Sequence, residues 1–141
     1  MHLELITLLG QKLNEPVYGI TIPTAAGEIS VFPGHERLVT LAVPGVLSVR
    51  RRKGDSDAHL QYFAISGGIV EISPQQVRIL VDEAESGEDI LESESKAALE
   101  RALKLRQEAG DQVSIEKAQA HIDRHAVRLK VAQLRRRHRR G

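Results

Sequence analysis

His121 and His125 lie four residues apart, the spacing that sets two imidazoles on one helical face and begins many metal sites. A working site needs a third ligand, and neither an H-E-x-x-H pattern nor a cysteine accompanies the pair. The two histidines therefore read as a polar helix face, and no metal is expected. Ser66 stands before Gly67-Gly68, without the G-x-S-x-G frame that exposes a nucleophilic serine on a sharp turn. Asp82-Glu83 and Glu88-Asp89 pair carboxylates as general acid–base catalysis requires, yet they sit where the sequence pattern changes rather than around an implied cleft. No phosphate-binding or dinucleotide-binding glycine loop occurs. No catalytic residue and no cofactor are expected, and an enzyme is the class least supported. His35, after the Pro33-Gly34 turn, keeps two readings open: a hydrogen bond that ties the corner, or a ring offered to a partner.

Charge is the stronger signal. The net charge of +1 hides eight acids between residues 82 and 100 against Lys96, a local net of −7. Residues 112–141 carry nine Lys or Arg against Glu116 and Asp123, a local net of +7. Folded back, the two stretches attract; released, the basic one reaches for an acidic partner. Exposed ion pairs contribute about 0–1 kcal/mol each, so such a latch is adjustable. The terminal Arg135-Arg136-Arg137-His138-Arg139-Arg140 has three readings: a nucleic-acid or anionic-lipid contact, a solvated helix end favoured by the dipole, or a dock on an acidic protein surface. Aromatic residues are only 3%, with no Trp, which leaves little for stacking bases.

The elements that position these residues divide the chain at about residue 84. Before it the apolar period is two. His2–Thr7, Val17–Ile22, Leu38–Val43, Val46–Arg50, Leu60–Ile65, Ile69–Ile72 and Val77–Val81 read as short strands between Gly- and Pro-containing turns. A further strand carries Ile29, Val31 and Phe32 into the Pro33-Gly34 turn, and Gly67-Gly68 marks a bulge or a close backbone approach. Many short strands at this spacing imply a sandwich or barrel. The cations of Arg50–Asp57 read as a solvated hairpin tip. After Glu83 the period becomes helical. Ser86-Gly87-Glu88-Asp89 has capping-box form, and Leu91, Ala98, Ala102, Leu105 and Ala109 trace one face. Gly110 stops that helix and Ser114 is positioned to cap a second, with Ile115, Ala118, Ile122, Ala126 and Leu129 in a stripe and Val127, Val131 and Leu134 beside it. The short turn predicts two antiparallel helices, alanine-rich and able to detach. The expected organisation is an all-β domain over 1–84 and a helical hairpin over 85–141, α+β overall. With no cysteine, no basic leader and no run of about 20 apolar residues, a soluble protein is expected, linked to a membrane only through a partner.

The corner Gly27-Glu28-Ile29-Ser30-Val31-Phe32-Pro33-Gly34-His35, then Ser66-Gly67-Gly68-Ile69-Val70-Glu71-Ile72, then a helical hairpin, closely resembles the epsilon subunit of bacterial-type F-type ATP synthases. The resemblance covers essentially the whole chain. It implies a β-sandwich of about ten strands and two antiparallel helices. It also implies a non-catalytic rotor subunit in the central stalk, on the cytoplasmic face of the inner or plasma membrane. There the subunit clamps the gamma subunit, rests on the c ring, and couples proton flow to ATP synthesis. Glu28, Ser30 and His35 match the loop that faces the c ring. The hairpin of family members obstructs ATP hydrolysis when extended, with basic residues of the second helix meeting acids of the beta subunits, and Arg124, Arg128, Arg135, Arg136 and Arg137 are the candidates for that role here. The family's ATP-sensing motif, [IL]-D-x-x-R-A, is degenerate here: Ile90 is followed by Leu91 for aspartate, Glu94 for arginine and Ser95 for alanine. A carboxylate in place of a phosphate-binding arginine repels nucleotide, so no ATP binding is expected. The alternative is an unrelated β-sandwich binding module whose basic helical tail docks an acidic partner or nucleic acid.

Overall fold

Alternation of apolar and polar residues is converted directly into strands with one buried face. The computed structural model describes the backbone of residues 1–140 and side chains through Arg137. In β1 (His2–Thr7) Leu3, Leu5 and Thr7 point inward, and in β9 (Gln76–Val81) Val77, Ile79 and Val81 do the same. Between them in sequence lie β2 (Gly10–Pro16), β3 (Gly19–Thr24), β4 (Gly27–Val31), β5 (Leu38–Ala42), β6 (Gly45–Arg50), β7 (Gln61–Ile65) and β8 (Gly68–Ile72), and β10 (Ala84–Ser86) closes the series. The order β10-β7-β6-β3-β5-β8-β9-β1-β2, with β4 on β3, runs through a single residue pair, Thr24 with Ala42, where β3 meets β5. That corner divides ten strands into two layers of five, a β-sandwich as expected. All pairings are antiparallel except β1 with β9. The core between the layers is aliphatic, including Leu3, Leu5, Ile22, Leu47, Val70 and Ile79, with Phe63 its buried aromatic ring.

Two strands lie outside the expected set. The segment Gly10–Pro16 is polar and edge-lying, and its extension comes from pairing with β1 rather than from a pattern of its own. Strand β10 is three residues long and pairs with β7 from Ala84 to Ser86, so the expected boundary after residue 84 falls on its first residue. The paired glycines are a close approach. A Cβ on Gly68 would stand 1.9 Å from the Leu80 carbonyl oxygen of the neighbouring strand, and one on Gly67 3.3 Å from that of Ala42. Phe32 falls just beyond β4, where its ring lies 5.5 Å from that of Tyr18.

The helices α1 (Glu92–Glu108) and α2 (Gln112–Arg140) form the expected hairpin, with different caps and a different seam. Ser86 Oγ accepts from the Glu88 amide at 3.3 Å, but it caps a 3₁₀ turn at Gly87–Asp89, and α1 begins only after Leu91. Asp111, not Ser114, caps α2: its Oδ1 accepts from the Ser114 amide at 2.7 Å, a bond that holds the Asp111 carboxyl below its usual range. On α1 the buried residues are Ser95, Ala98 and Ala102, while Leu91 and Leu105 are exposed. On α2 Ala118 is buried and Ala126 exposed. The expected stripes ran too far because a two-helix seam is narrow and its ends open to solvent. The residues flanking the stripe do more. Val131 and Ala132, with Val127 and Leu134, pack on Tyr62 and Ala64 of β7 and on Ile90. A buried valine or isoleucine contributes about 1.5–3 kcal/mol and an alanine methyl about 0.8, so Val131 and Ile90 carry most of this cluster's burial.

Gly68→Ala is expected to destabilise the sandwich by about 3 kcal/mol or more, because rigid backbone occupies the new methyl's place. Gly54→Ala, with open space around it, is expected to stay within about 0.5 kcal/mol. Equal denaturant midpoints for the two variants would refute the close approach.

Candidate functional site: partner-contact surfaces

The polar corner is built on the end of β4. Ser30 is paired with Thr21 across β3, their hydroxyl oxygens 3.2 Å apart, and both Glu28 and Ser30 are exposed. Gly34 turns the chain at φ +90°, which favours glycine, and its amide donates to the Pro74 carbonyl at 2.8 Å. His35 then bonds locally: its Nδ1 donates to the Glu36 carbonyl at 2.6 Å while the ring stays half-exposed. The hydrogen-bonded reading of His35 is the one seen, as a local bond to the following carbonyl, with the residue partly accessible.

Four of the five arginines lie along α2 against acids of the junction and of the start of α1. Arg128 forks onto Glu85 of β10, Nε to Oε2 at 2.7 Å and Nη2 to Oε1 at 3.1 Å, with only 11% of its side chain exposed. Arg124 Nε lies 3.3 Å from Glu83 with both side chains largely in water. Arg135 donates to the Gly87 carbonyl and stands 3.8 Å from Glu88, and Arg136 Nε is 3.4 Å from Glu92. Arg137 is exposed. Four cations therefore meet four acids of the 82–100 stretch, three of them before α1 begins. The fork is the strong member: it is two charge-assisted bonds out of water, whereas the exposed pairs contribute about 0–1 kcal/mol each. The last residues of the terminal basic run, His138, Arg139 and Arg140, lie outside the described side chains.

The remaining chemistry-bearing residues scatter. His121 and His125 have near-parallel rings with centroids 6.3 Å apart, and no cluster of three metal-ligating side chains occurs among the described residues. Burial first, then the nearby cations Arg128 and Arg124, hold the His125 imidazole below its ordinary pKa. Ser66 exchanges bonds with the Glu83 backbone, donating to its carbonyl at 3.3 Å and accepting from its amide at 2.9 Å. Its hydroxyl is a strut rather than a nucleophile. At the basic hairpin tip Arg50 is bound to Asp57 at 2.7 Å, and Arg51 pairs with Glu15. In the degenerate motif, Leu91 is the residue before α1, Glu94 lies exposed in its first turn, and Ser95 is fully buried with an unpartnered hydroxyl.

Residues 1–87 match the family of the ATP synthase delta/epsilon chain, beta-sandwich domain. Full-length relatives agree. An ATP synthase epsilon chain of Chloroflexus aggregans is 34% identical over 134 residues, 95% of this chain and 93% of its own. That of Herpetosiphon aurantiacus is 34% identical over 96% of each, and that of Nitrosococcus oceani 29% identical over 94% and 92%. The chain belongs to the bacterial-type ATP synthase epsilon family. A chain in the OSCP/F1/c-ring structure of the Euglena gracilis mitochondrial ATP synthase superposes with a TM-score of 0.79 at 30% identity, covering 93% of this chain and 79% of that one. A Tetrahymena thermophila central-stalk/c-ring structure shares the fold, with a TM-score of 0.60 at 16% identity. No helix among the described residues is long and apolar enough to cross a membrane.

This epsilon-family chain also carries a surface that the sequence pattern did not disclose. Strand register places Leu41, Ile69, Leu80 and Ile6 in one cross-strand row over β5, β8, β9 and β1. Leu41 and Ile69 are 60% and 47% exposed, and Val39, on the same face of β5, is 72% exposed. Leu8 and Leu9, in the turn after β1, are exposed too. Contiguous exposed apolar residues on a sheet mark a contact face. The available signal was the apolar residue at each alternate, nominally outer, position: Leu41, Ile69 and Leu80.

Arg128→Ala is expected to weaken docking of α2 by about 1–3 kcal/mol, since it strands the Glu85 carboxylate and removes a largely buried stem. Arg124→Ala is expected to change it by less than about 0.5 kcal/mol. Amide hydrogen exchange across α2, compared between the two variants, checks this; similar losses of protection would show that the fork has no special weight.

Proposed function

We propose that the chain is a non-catalytic central-stalk subunit of a proton-translocating ATP synthase, bound to the gamma subunit and the c ring and coupling proton flow to ATP synthesis. The observation that carries this reading is the match to the epsilon family over 1–87, together with full-length relatives named ATP synthase epsilon chain. The Euglena likeness, to a chain from an F1/c-ring assembly, supports it further. The complex would sit on the cytoplasmic face of the inner or plasma membrane, with this subunit peripheral to it. Units 1–84 and 85–141 divide the work between rotor contact and regulation, with β10 as the hinge-side strand. Glu28, Ser30 and His35 form the polar surface for the c ring. The apolar row Leu41–Ile69–Leu80 fits the gamma subunit, because a face of this kind is stabilised by permanent cover. Co-elution of the full chain with cognate gamma on gel filtration tests the assignment. A one-to-one complex is expected, and Ile69→Lys is expected to weaken it at least about tenfold by placing a cation in an apolar contact. Failure of the folded wild-type chain to bind gamma would overturn the reading.

The arginine row supports a regulatory role for α2. Docked, Arg124, Arg128, Arg135 and Arg136 are occupied by acids of the same chain. Released, with Arg137, they are available to acidic surfaces of the beta and alpha subunits, where an extended hairpin obstructs ATP hydrolysis. Glu85→Gln weakens the dock while leaving every arginine in place, so it is expected to deepen inhibition of hydrolysis in the assembled enzyme. Neutralising all five arginines is expected to relieve it. Unchanged hydrolysis in both variants would sink the regulatory role and leave the rotor assignment standing.

A further inference from the structure

The Arg128 fork has a third partner. While Nε and Nη2 bind Glu85, Nη1 lies 3.2 Å from His125 Nδ1, one helical turn back. A guanidinium has donors only, so this contact is a hydrogen bond only when Nδ1 carries no proton. The docked geometry therefore selects the neutral imidazole, protonated on Nε2. A second proton would set N–H against N–H and add a positive charge to a site already crowded with them. On α2 itself the groups facing His125 are Arg128, Arg124 and His121, and α1 contributes Arg101. The carboxylates Glu85 and Glu83 of the junction are engaged by Arg128 and Arg124.

We propose that His125 makes the docking of α2 pH-sensitive: neutral, it accepts from Arg128 and steadies the fork on Glu85, while protonated it repels Arg128 and favours release of the helix from the sandwich. The direction follows from linkage. Burial, the larger cause, and the cations depress the docked imidazole below its ordinary value of 6.5; release removes the burial and frees Arg128 from Glu85, while the charges of α2 itself travel with the helix. The released state binds the proton more tightly, so docking is strongest above about pH 6.5 and is lost as pH falls from there through the docked imidazole's own pKa. Each unit between the two values changes the docking equilibrium about tenfold. The switch rests on docking geometry alone; its consequence for hydrolysis rests on the regulatory role proposed above.

The test is an NMR titration of the full-length free chain from about pH 8 to about pH 5.5, a range spanning the ordinary imidazole pKa. Methyl signals of Ile90 and of Val131 on α2, buried together against Tyr62 and Ala64, report docking, and those of Val70 and Ile79 report the fold of the sandwich. In the wild type the docked signals are expected to fade as His125 titrates, with the sandwich signals unchanged. His125→Gln, which keeps an acceptor and cannot charge, is expected to stay docked. His125→Lys, permanently charged, is expected to be undocked at about pH 8 with an intact sandwich. A wild type that stays docked throughout, or a wild type and His125→Gln that undock together, overturns the proposal. The pH profile of ATP hydrolysis in the assembled enzyme separates the two levels. Undocking that follows His125 with no His125-dependent change in hydrolysis supports the switch and counts against the regulatory role.

Discussion

A helix whose inner face mixes small apolar residues with arginine is fixed at one place on a β-sandwich where a guanidinium leaves water. Arg128 can do so because β10 places Glu85 opposite it, and β10 holds that position by pairing with β7. The strand that ends the sandwich is thus also the strand that anchors the helices. Beside the fork lies the apolar cluster of Val131, Ala132 and Ile90 against Tyr62 and Ala64, which supplies burial without direction. The fork supplies direction, since a bidentate pair forms at one register of α2 and one rotation about its axis. The exposed pairs of Arg124 and Arg136 add charge complementarity around it at little individual weight.

The two halves of the chain present opposite kinds of surface. Outside β5, β8, β9 and β1 runs an apolar row that the described residues leave exposed. Along α2 lies a charged row already satisfied internally, suited to an exchange of partners. An apolar contact cannot be exchanged cheaply, because its loss returns hydrophobic area to water. An ion pair can, because one carboxylate substitutes for another. The sequence separates the two surfaces at the same point where the apolar period changes.

Most of the sandwich was legible because burial on one face writes a period of two into each strand, as in Leu3-Glu4-Leu5 or Val77-Arg78-Ile79-Leu80-Val81. Strands β2 and β10 were not, since both are extended by pairing with a neighbour rather than by their own composition. The caps were misplaced for a related reason. Ser86 and Ser114 have the right chemistry, but which residue caps depends on where the backbone leaves the helix, and that is set by Ile90 and Asp111 nearby. The charge asymmetry announced a latch without its pairing: that Arg128 meets Glu85 rather than an acid of α1 depends on the hairpin lying back across β7. The apolar row was hidden because it needs register across four strands, and no single strand shows more than one or two of its members.

The sizes of these interactions bear on whether such a hairpin can act as a switch. Moving a two-state element from 99:1 to 1:99 takes about 5.5 kcal/mol. The fork, at about 1–3 kcal/mol, and three weaker pairs, at about 0–1 each, together lie within reach of that figure. The apolar cluster alone, a valine and an isoleucine with smaller neighbours, is of similar size. Neither contribution by itself is so large that docking becomes permanent, and neither is so small that the helices drift free. A partner offering equivalent carboxylates recovers the electrostatic part, and the residual cost of undocking falls to the small apolar cluster. The low aromatic content of the chain keeps that cluster small: Tyr62 is the one aromatic in it, and a Trp or Phe from α2 at the position of Val131 would bias the hairpin towards a single state.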